Sequence, residues 1–391
     1  MQRDIFSSLQ LGPLHVSNRC IRAAAFEGMS PNGDVSQQLI AYHRSLAEGG
    51  VGLTTVAYAS VSSHGRSFTH QLWMRPEILP GLRRLTQAVH EAGGKVSIQL
   101  GHCGDMAKYS TIHQRSWAPS GGFNLYALSM KKKMNSESIS EVVRDFGQAV
   151  SLAADAGFDA VEIHAGHGYL ISQFLSPYTN SRKDEYGGSL ENRMRFGEQV
   201  MEEVMEVATQ KKVAVLVKMN MRDGFAGGME KEDSLAFARM LERKGVHALI
   251  LSGGFVSKSP MYVMRGDMPI ATLAKHAGNP FLGAMIRLLG SFMIDNIPFS
   301  PLYFLDDAMS FRKELHLPLI YVGGVQSAEH IRTVLSCGFD AVAMARVLIE
   351  NPHFLENIRK NFSHQSSCDA CNHCVAMIYD GPFACIQHNR S

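Results

Sequence analysis

The stretch Val161–Leu170, VEIHAGHGYL, sets His164 and His167 three residues apart and places Tyr169 two residues further on. These side chains could ligate zinc, exchange protons or hold a carbonyl oxygen. The choice depends on whether the segment is one face of a helix or the end of a strand. A second concentration of reactive groups lies near the end of the chain. There CDACNHCVAMIYDGPFAC spaces Cys368, Cys371, Cys374 and Cys385 as C-x2-C-x2-C-x10-C. Four thiolates so spaced suit a 4Fe–4S cluster or a structural zinc ion. Clustered cysteines in an intracellular protein more often bind metal than form disulfides. Cys20, Cys103 and Cys337 are scattered.

The elements that must position these groups are legible as a repeat. A helical stretch, a glycine-containing turn and a short apolar run recur in AEGGVGLTTVAY, HEAGGKVSIQL, ADAGFDAVEIH, ERKGVHALILSGG and LSCGFDAVAMAR. Glycine suits the residue after a helix C-terminus, where φ is positive. The runs, rich in Val, Ile and Leu, read as strands buried on both faces. With NRCIRAA, VAVLVKMN and LPLIYVGG they make strands near Ile21, Leu53, Ser97, Glu162, Leu216, Ile250, Tyr321 and Ala343. Alternation of this kind predicts an α/β fold, a closed (β/α)8 TIM barrel. A doubly wound open sheet is the alternative, but no G-x-G-x-x-G follows the first strand. Residues 1–361 are assigned to the barrel. Residues from about 255 to 316, rich in Met, Phe, Leu and Pro, form an insertion after strand six, and 362–391 form the cysteine-rich tail.

Lys and Arg number 38 against 36 Asp and Glu, a net charge of +2, which gives no electrostatic basis for nucleic acid as the main partner. Hydrophobic residues at 45% allow a large core. MQRDIFSSLQLGPL has no basic region followed by an apolar one, so no secretory signal is expected. The most apolar run, FLGAMIRLLGSFMIDNIPFSPLYFL, is interrupted by Arg287, Asp295, Pro298 and Pro301. A soluble cytoplasmic protein without a transmembrane segment is expected.

In a barrel the strand C-terminal ends face the active site. His164 then sits at the mouth of strand four, which disfavours a helical zinc pair. The other strand ends offer Gln99, Lys218, Ser252, Gly323 and Arg346, which are donors and small residues rather than metal ligands. Gly323, Gly324 and Arg346 follow strands seven and eight, the usual phosphate site of the fold. There glycine lets backbone N–H groups approach and arginine can pair with the anion.

At this point GFDAVEIHAGHGYLISQFLSPYTNSRKDEYGGSLENRMRF resembles the signature of the Old Yellow Enzyme family of FMN-dependent oxidoreductases. NRCIRAA, VSIQLGH, VLVKMN and YVGGVQSAEHIRTVLSCGFDAVAMARVLIENP match its other blocks in order. The resemblance implies that Ala24 and Ala25 lie against the flavin and that Gln99 meets its pyrimidine edge. It places Lys218 near N1–C2=O, and Gly323, Gly324, Ala345 and Arg346 around the phosphate. His164 and His167 would hold a substrate oxygen and Tyr169 would donate a proton. NAD(P)H would be the reductant, and the substrate a small apolar α,β-unsaturated carbonyl or thioester. Lys218 stands where many members carry arginine, Ala345 where glycine is common, and Ala24–Phe26 lack the Thr or Cys that often touches the flavin. TNSRKDEYGGSLENR is read as scaffold, with Ser189 capping the next helix.

CDACNHC is similar to the cluster loop of the branch containing 2,4-dienoyl-CoA reductase and trimethylamine dehydrogenase. That implies a 4Fe–4S cluster on Cys368, Cys371, Cys374 and Cys385, with zinc or no metal as alternatives and a separate electron-donor protein as partner. The insertion is read as an apolar lid over the barrel mouth, or else as a dimer contact of a homo-oligomer or a membrane-surface patch. Arg265 could meet a substrate anion or lie on the surface. Rival functions are an amine dehydrogenase or demethylase, an electron-transfer subunit, and a zinc-dependent barrel hydrolase.

Overall fold

The computed structural model describes residues 4–277, 280–294 and 296–389. Eight parallel strands close into a barrel: β1 (Cys20–Arg22), β2 (Leu53–Ser60), β3 (Val96–Gly101), β4 (Ala160–Ala165), β5 (Ala214–Asn220), β6 (Ala248–Ser252), β7 (Leu319–Val322) and β8 (Ala341–Met344). Each of the eight expected strands is present. Their side chains alternate between two cores. Val161, Ile163, Val215, Val217 and Met219 point outward and pack under the helices. Ala160, Ala214, Leu216, Ile250 and Ile320 fill the barrel interior, joined by Leu9, Leu11, Leu14 and Val16 of an N-terminal hairpin.

The outer helices include α1 (Gln37–Glu48), α2 (Leu79–Glu91), α3 (Ser136–Asp155), α4 (Leu190–Lys211), α5 (Lys231–Arg243), α6 (Leu305–Glu314) and α7 (Ala328–Ser336). Several begin at side-chain caps that satisfy otherwise unpaired N–H groups. Ser36 accepts from Leu39 N, Ser189 from Asn192 N and Ser327 from His330 N, and Asn135 with Ser138 makes a reciprocal pair at α3. The helix α6 lies inside the segment read from sequence as insertion. It packs Ala308 and Phe311 into the outer core and occupies the sixth helix position. The departure from the repeat therefore ends near Phe304. The short apolar stripe of α6, diluted by Asp306, Asp307, Arg312 and Lys313, hid this.

Within the insertion, the helix Pro280–Met293 turns Ile286 and Gly290 toward a cleft at the barrel mouth and exposes Leu288 and Phe292. The tail is tied to both barrel and insertion. Ser366 and Ser367 donate to Glu350, Phe383 N–H to Glu27 O, and Asn372 Nδ2 to the carbonyls of Arg265 and Asp267. No helix among the described residues is long and apolar enough to cross a membrane.

The turn after β1 is held by a buried ion pair. Arg22 Nη1 lies 2.8 Å from Glu27 Oε1 and 2.6 Å from Thr55 O, and Nη2 donates to Ala25 O at 2.6 Å. Glu27 also accepts from Ala57 N–H at 2.9 Å, with His43 Nε2 at 3.3 Å. Burial would raise the Glu27 carboxyl, but Arg22 and His43 outweigh it and hold it below its ordinary value. Glu27→Ala would strand the Arg22 charge, so a loss of about 3–5 kcal/mol is expected. Urea denaturation measures it; an unchanged midpoint would show that the pair is dispensable.

Candidate functional site

Period-two alternation sends Gln99 of β3, Glu162 and His164 of β4, and Lys218 and Asn220 of β5 to the barrel interior. The register sets Gln99 beside Glu162 and Lys218 beside His164. Gln99 Nε2 donates to Glu162 Oε1 at 2.5 Å, and Lys218 Nζ reaches the same oxygen at 2.8 Å. Glu162 is fully buried, yet among the described residues its Oε2 has no hydrogen-bond partner, and neither has His164 Nδ1. Buried polar atoms are rarely left so, and these two mark a place for a polar ligand. Sequence reasoning passed over Glu162. Its signal was parity: it lies two residues before His164 on the same strand face, a lone charge in an apolar run.

Beyond β4 the chain turns sharply. His167 has φ +57 and Gly168 φ +78, so two successive residues are left-handed. A Cβ on Gly168 would fall 2.4 Å from the Phe255 ring, which leaves room for glycine alone. The turn carries His167 back across the mouth. Its N–H donates to Asn220 Oδ1 at 2.9 Å, and its Nε2 lies 2.7 Å from Ser252 Oγ. The rings of His164 and His167 are 5.1 Å apart, and Tyr169 lies 4.6 Å from His164 and 4.8 Å from Tyr58. The structure thus gathers His164, His167 and Tyr169 at one point.

Burial, then the neighbouring His167 and Lys218 charges, lowers His164 well below the ordinary histidine range. Burial and Lys218 push His167 down to about 3. Burial, with Cys103 nearby, raises the Tyr169 phenol. At neutral pH the site holds two neutral imidazoles and a protonated tyrosine. Tyr126 and Tyr379, the latter from the tail, are close enough to act on each other electrostatically and lie beside Tyr169. A cleft of about 780 Å³ opens here, lined by Ser67, Lys108, Tyr126, Leu128, Ile286 and Tyr379 among others.

The residues expected around a phosphate also converge. Gly323, Gly324, Ala345 and Arg346 line a pocket of about 70 Å³ with Tyr303 and Cys368. A Cβ on Gly324, whose φ is +71, would come 2.7 Å from Leu302 N, so this glycine is required by packing against the insertion as well. Arg346 Nη1 donates to Arg265 O at 3.0 Å and Asn372 Oδ1 at 2.9 Å. Arg265 lies over the Tyr303 ring at 5.0 Å, so it serves this end of the site. Ala24 and Ala25 are half-buried on the turn that Arg22 anchors.

Cys368, Cys371, Cys374 and Cys385 line one small cavity together with Arg346. Arg346 and Cys368 therefore border both this cavity and the glycine-lined pocket. Burial raises the thiols of Cys368 and Cys371 and takes that of Cys374 up to about 12.

Among the described residues, the group of His, Cys, Asp and Glu side chains whose ligand atoms all draw within 4.8 Å is His64, Glu141 and Asp145. His164 and His167 are not in it. Even there a hydrogen-bond chain opposes a metal. Gly104 N–H donates to His102 Nδ1 at 3.0 Å, so His102 Nε2–H points at His64 Nδ1, also 3.0 Å away. The proton of neutral His64 is then on Nε2, the nitrogen facing Glu141.

A pH effect follows from His167. Above about pH 6.5 it is neutral whether folded or unfolded, and contributes nothing. Below that, the unfolded chain binds a proton that the folded site refuses until about pH 3, so stability falls. The slope approaches about 1.4 kcal/mol per pH unit. Urea midpoints at pH 7.5 and 5.0 should show a smaller acid loss in His167→Asn than in the parent; equal losses would contradict it.

The family profile described as "NADH:flavin oxidoreductase / NADH oxidase family" matches residues 4–260. The chain is 40% identical over 380 residues to a 4,4'-dithiodibutanoate disulfide reductase of Rhodococcus erythropolis, covering 97% of this chain and 94% of that protein. It is 30% identical over 386 residues to a metal reductase of Desulforamulus reducens, covering 98% of this chain but 53% of that one. Among solved structures, a 2-naphthoyl-CoA reductase in complex with 2-naphthoyl-CoA superposes with a TM-score of 0.82 at 21% identity, over 99% of this chain and 57% of that chain.

Proposed function

The chain belongs to the NADH:flavin oxidoreductase / NADH oxidase family, whose members use FMN and NAD(P)H, and from that premise we propose that it reduces an activated C=C bond. The observation that carries this reading is the convergence of His164, His167 and Tyr169 at the end of β4. Bound FMN would supply hydride chemistry, passing reducing equivalents from NAD(P)H to the acceptor. The residues present fit such a group: Gly323, Gly324, Ala345 and Arg346 for its phosphate, Gln99 and Lys218 for its ring, and Ala24 and Ala25 against its face. Next to Gln99 and Lys218 stand Glu162 and His164, whose Oε2 and Nδ1 have no partner among the described residues.

The substrate oxygen is held by His164 and His167. Ser252 Oγ lies 2.7 Å from His167 Nε2, and the tautomer in which the hydroxyl donates leaves the His167 proton on Nδ1, the donor this reading requires. His164 Nδ1, buried and without a protein partner, is the second donor. Both are neutral, so they stabilise developing negative charge on the oxygen by dipole rather than by proton loss. Tyr169, kept protonated by burial, delivers a proton to the α-carbon. The helix Pro280–Met293 forms one wall of the cleft and acts as an apolar lid over a small unsaturated carbonyl or thioester.

A second acceptor class has specific support. The relative at 40% identity is named as a disulfide reductase. The same donors would stabilise a departing thiolate by hydrogen bonding. In the tail, Cys368, Cys371, Cys374 and Cys385 hold a 4Fe–4S cluster, a reading supported by the cavity they share. The raised thiols of Cys368, Cys371 and Cys374 would have to lose their protons to bind it.

Stopped-flow reoxidation of NADPH-reduced protein by 2-cyclohexenone tests the central reading. Tyr169→Phe should slow reoxidation about 10²–10⁴-fold and leave reduction by NADPH intact. Wild-type reoxidation in that variant, or no reoxidation of the parent by any enone, would overturn it. For the tail, protein purified without oxygen should carry about four iron atoms per chain, and Cys371→Ala should lose them. Stoichiometric zinc would refute the cluster.

A further inference from the structure

Lys108 stands on the wall of the cleft, in the long segment between β3 and α3, among Ser67, Ser110 and Thr111. It is half-buried, and burial lowers its ammonium below the ordinary lysine range, with no opposing carboxylate contributing. The carboxylates nearby are engaged elsewhere. Asp105 pairs with Lys131 at 3.1 Å, and Asp380, also on the cleft wall, pairs with His276 at 2.5 Å. No hydrogen bond or ion pair engages the Lys108 ammonium among the described residues. The facing wall is apolar, built from Leu125, Leu128, Leu282, Met285, Ile286 and Ile294. A partly desolvated cation without a counter-charge is costly to hold. Set in a cleft lined by those apolar side chains as well as by hydroxyls, it matches a ligand that brings both a hydrocarbon chain and an anion.

We infer that Lys108 anchors the carboxylate of an amphiphilic acid whose chain lies along the Leu128–Ile286 side of the cleft, with its reducible group toward Tyr169. The inference rests on the reductase reading for the reducible group, but the carboxylate subsite stands on the cleft alone. A charge-assisted hydrogen bond formed away from bulk water is about twice as strong as a neutral one. It would also select acids over the corresponding amides and esters, because a neutral ligand leaves the ammonium unpaired. Lys108 is then a specificity residue: it grips the remote end of the substrate while His164, His167 and Tyr169 act on the other.

Isothermal titration calorimetry on the flavin-loaded protein, with octanoate and octanamide as probes, separates this from the reductase reading, because neither probe is reduced. Octanoate should bind at least about tenfold more tightly than octanamide. Lys108→Met should remove most of that preference, and Lys108→Arg, which keeps the charge, should retain it. Equal affinity of the parent for the two probes overturns the inference, and needs no variant to fold. An unchanged octanoate preference in Lys108→Met also overturns it. So does a tenfold rise in the KM for NADPH with octanoate binding unaltered, which would assign Lys108 to the nucleotide phosphate. Failure of enone reduction with octanoate still preferred would refute the reductase reading and leave the subsite standing.

Discussion

At the centre of the barrel mouth a carboxylate and an ammonium are buried together. Glu162 and Lys218 sit on adjacent strands, 2.8 Å apart, with Gln99 of a third strand donating to the same oxygen. Removing two such charges from water is expensive, and only close geometry and further hydrogen bonds offset it. That cost makes the arrangement selective. Slipping β4 against β5 by one residue would turn Glu162 into the outer apolar core and leave Lys218 without its partner. The pair thereby fixes a register on which the rest of the site depends. His164 is two residues beyond Glu162 on the same face, and Asn220, which holds the His167 backbone, is two beyond Lys218.

The same burial sets the protonation of the site. Desolvation acts against charge on histidine and tyrosine alike, so the two imidazoles stay neutral and the phenol stays protonated. A left-handed residue at His167 is a small backbone cost met by hydrogen bonds to two other strands. The outcome is two neutral imidazoles and a protonated phenol gathered at one point.

Arg346 connects this centre to the tail. Its guanidinium is oriented by a carbonyl of the insertion and the amide of Asn372, between a glycine-lined pocket and the cavity of four cysteines. Tyr379 of the tail reaches the surroundings of Tyr169, and Phe383 N–H binds the carbonyl of Glu27. Insertion and tail are therefore parts of the wall of the candidate site, and the mouth of the barrel is built by segments far apart in sequence.

The sequence alone determined the barrel and the strand ends. Short runs rich in Val, Ile and Leu such as AVEIHA and AVLVKMN, with glycine after several of the helices, leave few other folds, and the strand C-terminal ends place His164, Gln99 and Lys218 at the mouth. The four cysteines announced themselves by spacing. Only the tertiary structure decided what touches what. It gave Glu162 its partners across two strands, returned α6 to the barrel, set Arg265 over the Tyr303 ring, and isolated Lys108 by pairing Asp105 with Lys131 and Asp380 with His276. Those outcomes depend on contacts between residues tens to hundreds of positions apart. Local periodicity carries no record of such contacts, because the balance of desolvation against pairing exists only once the chain has closed around them.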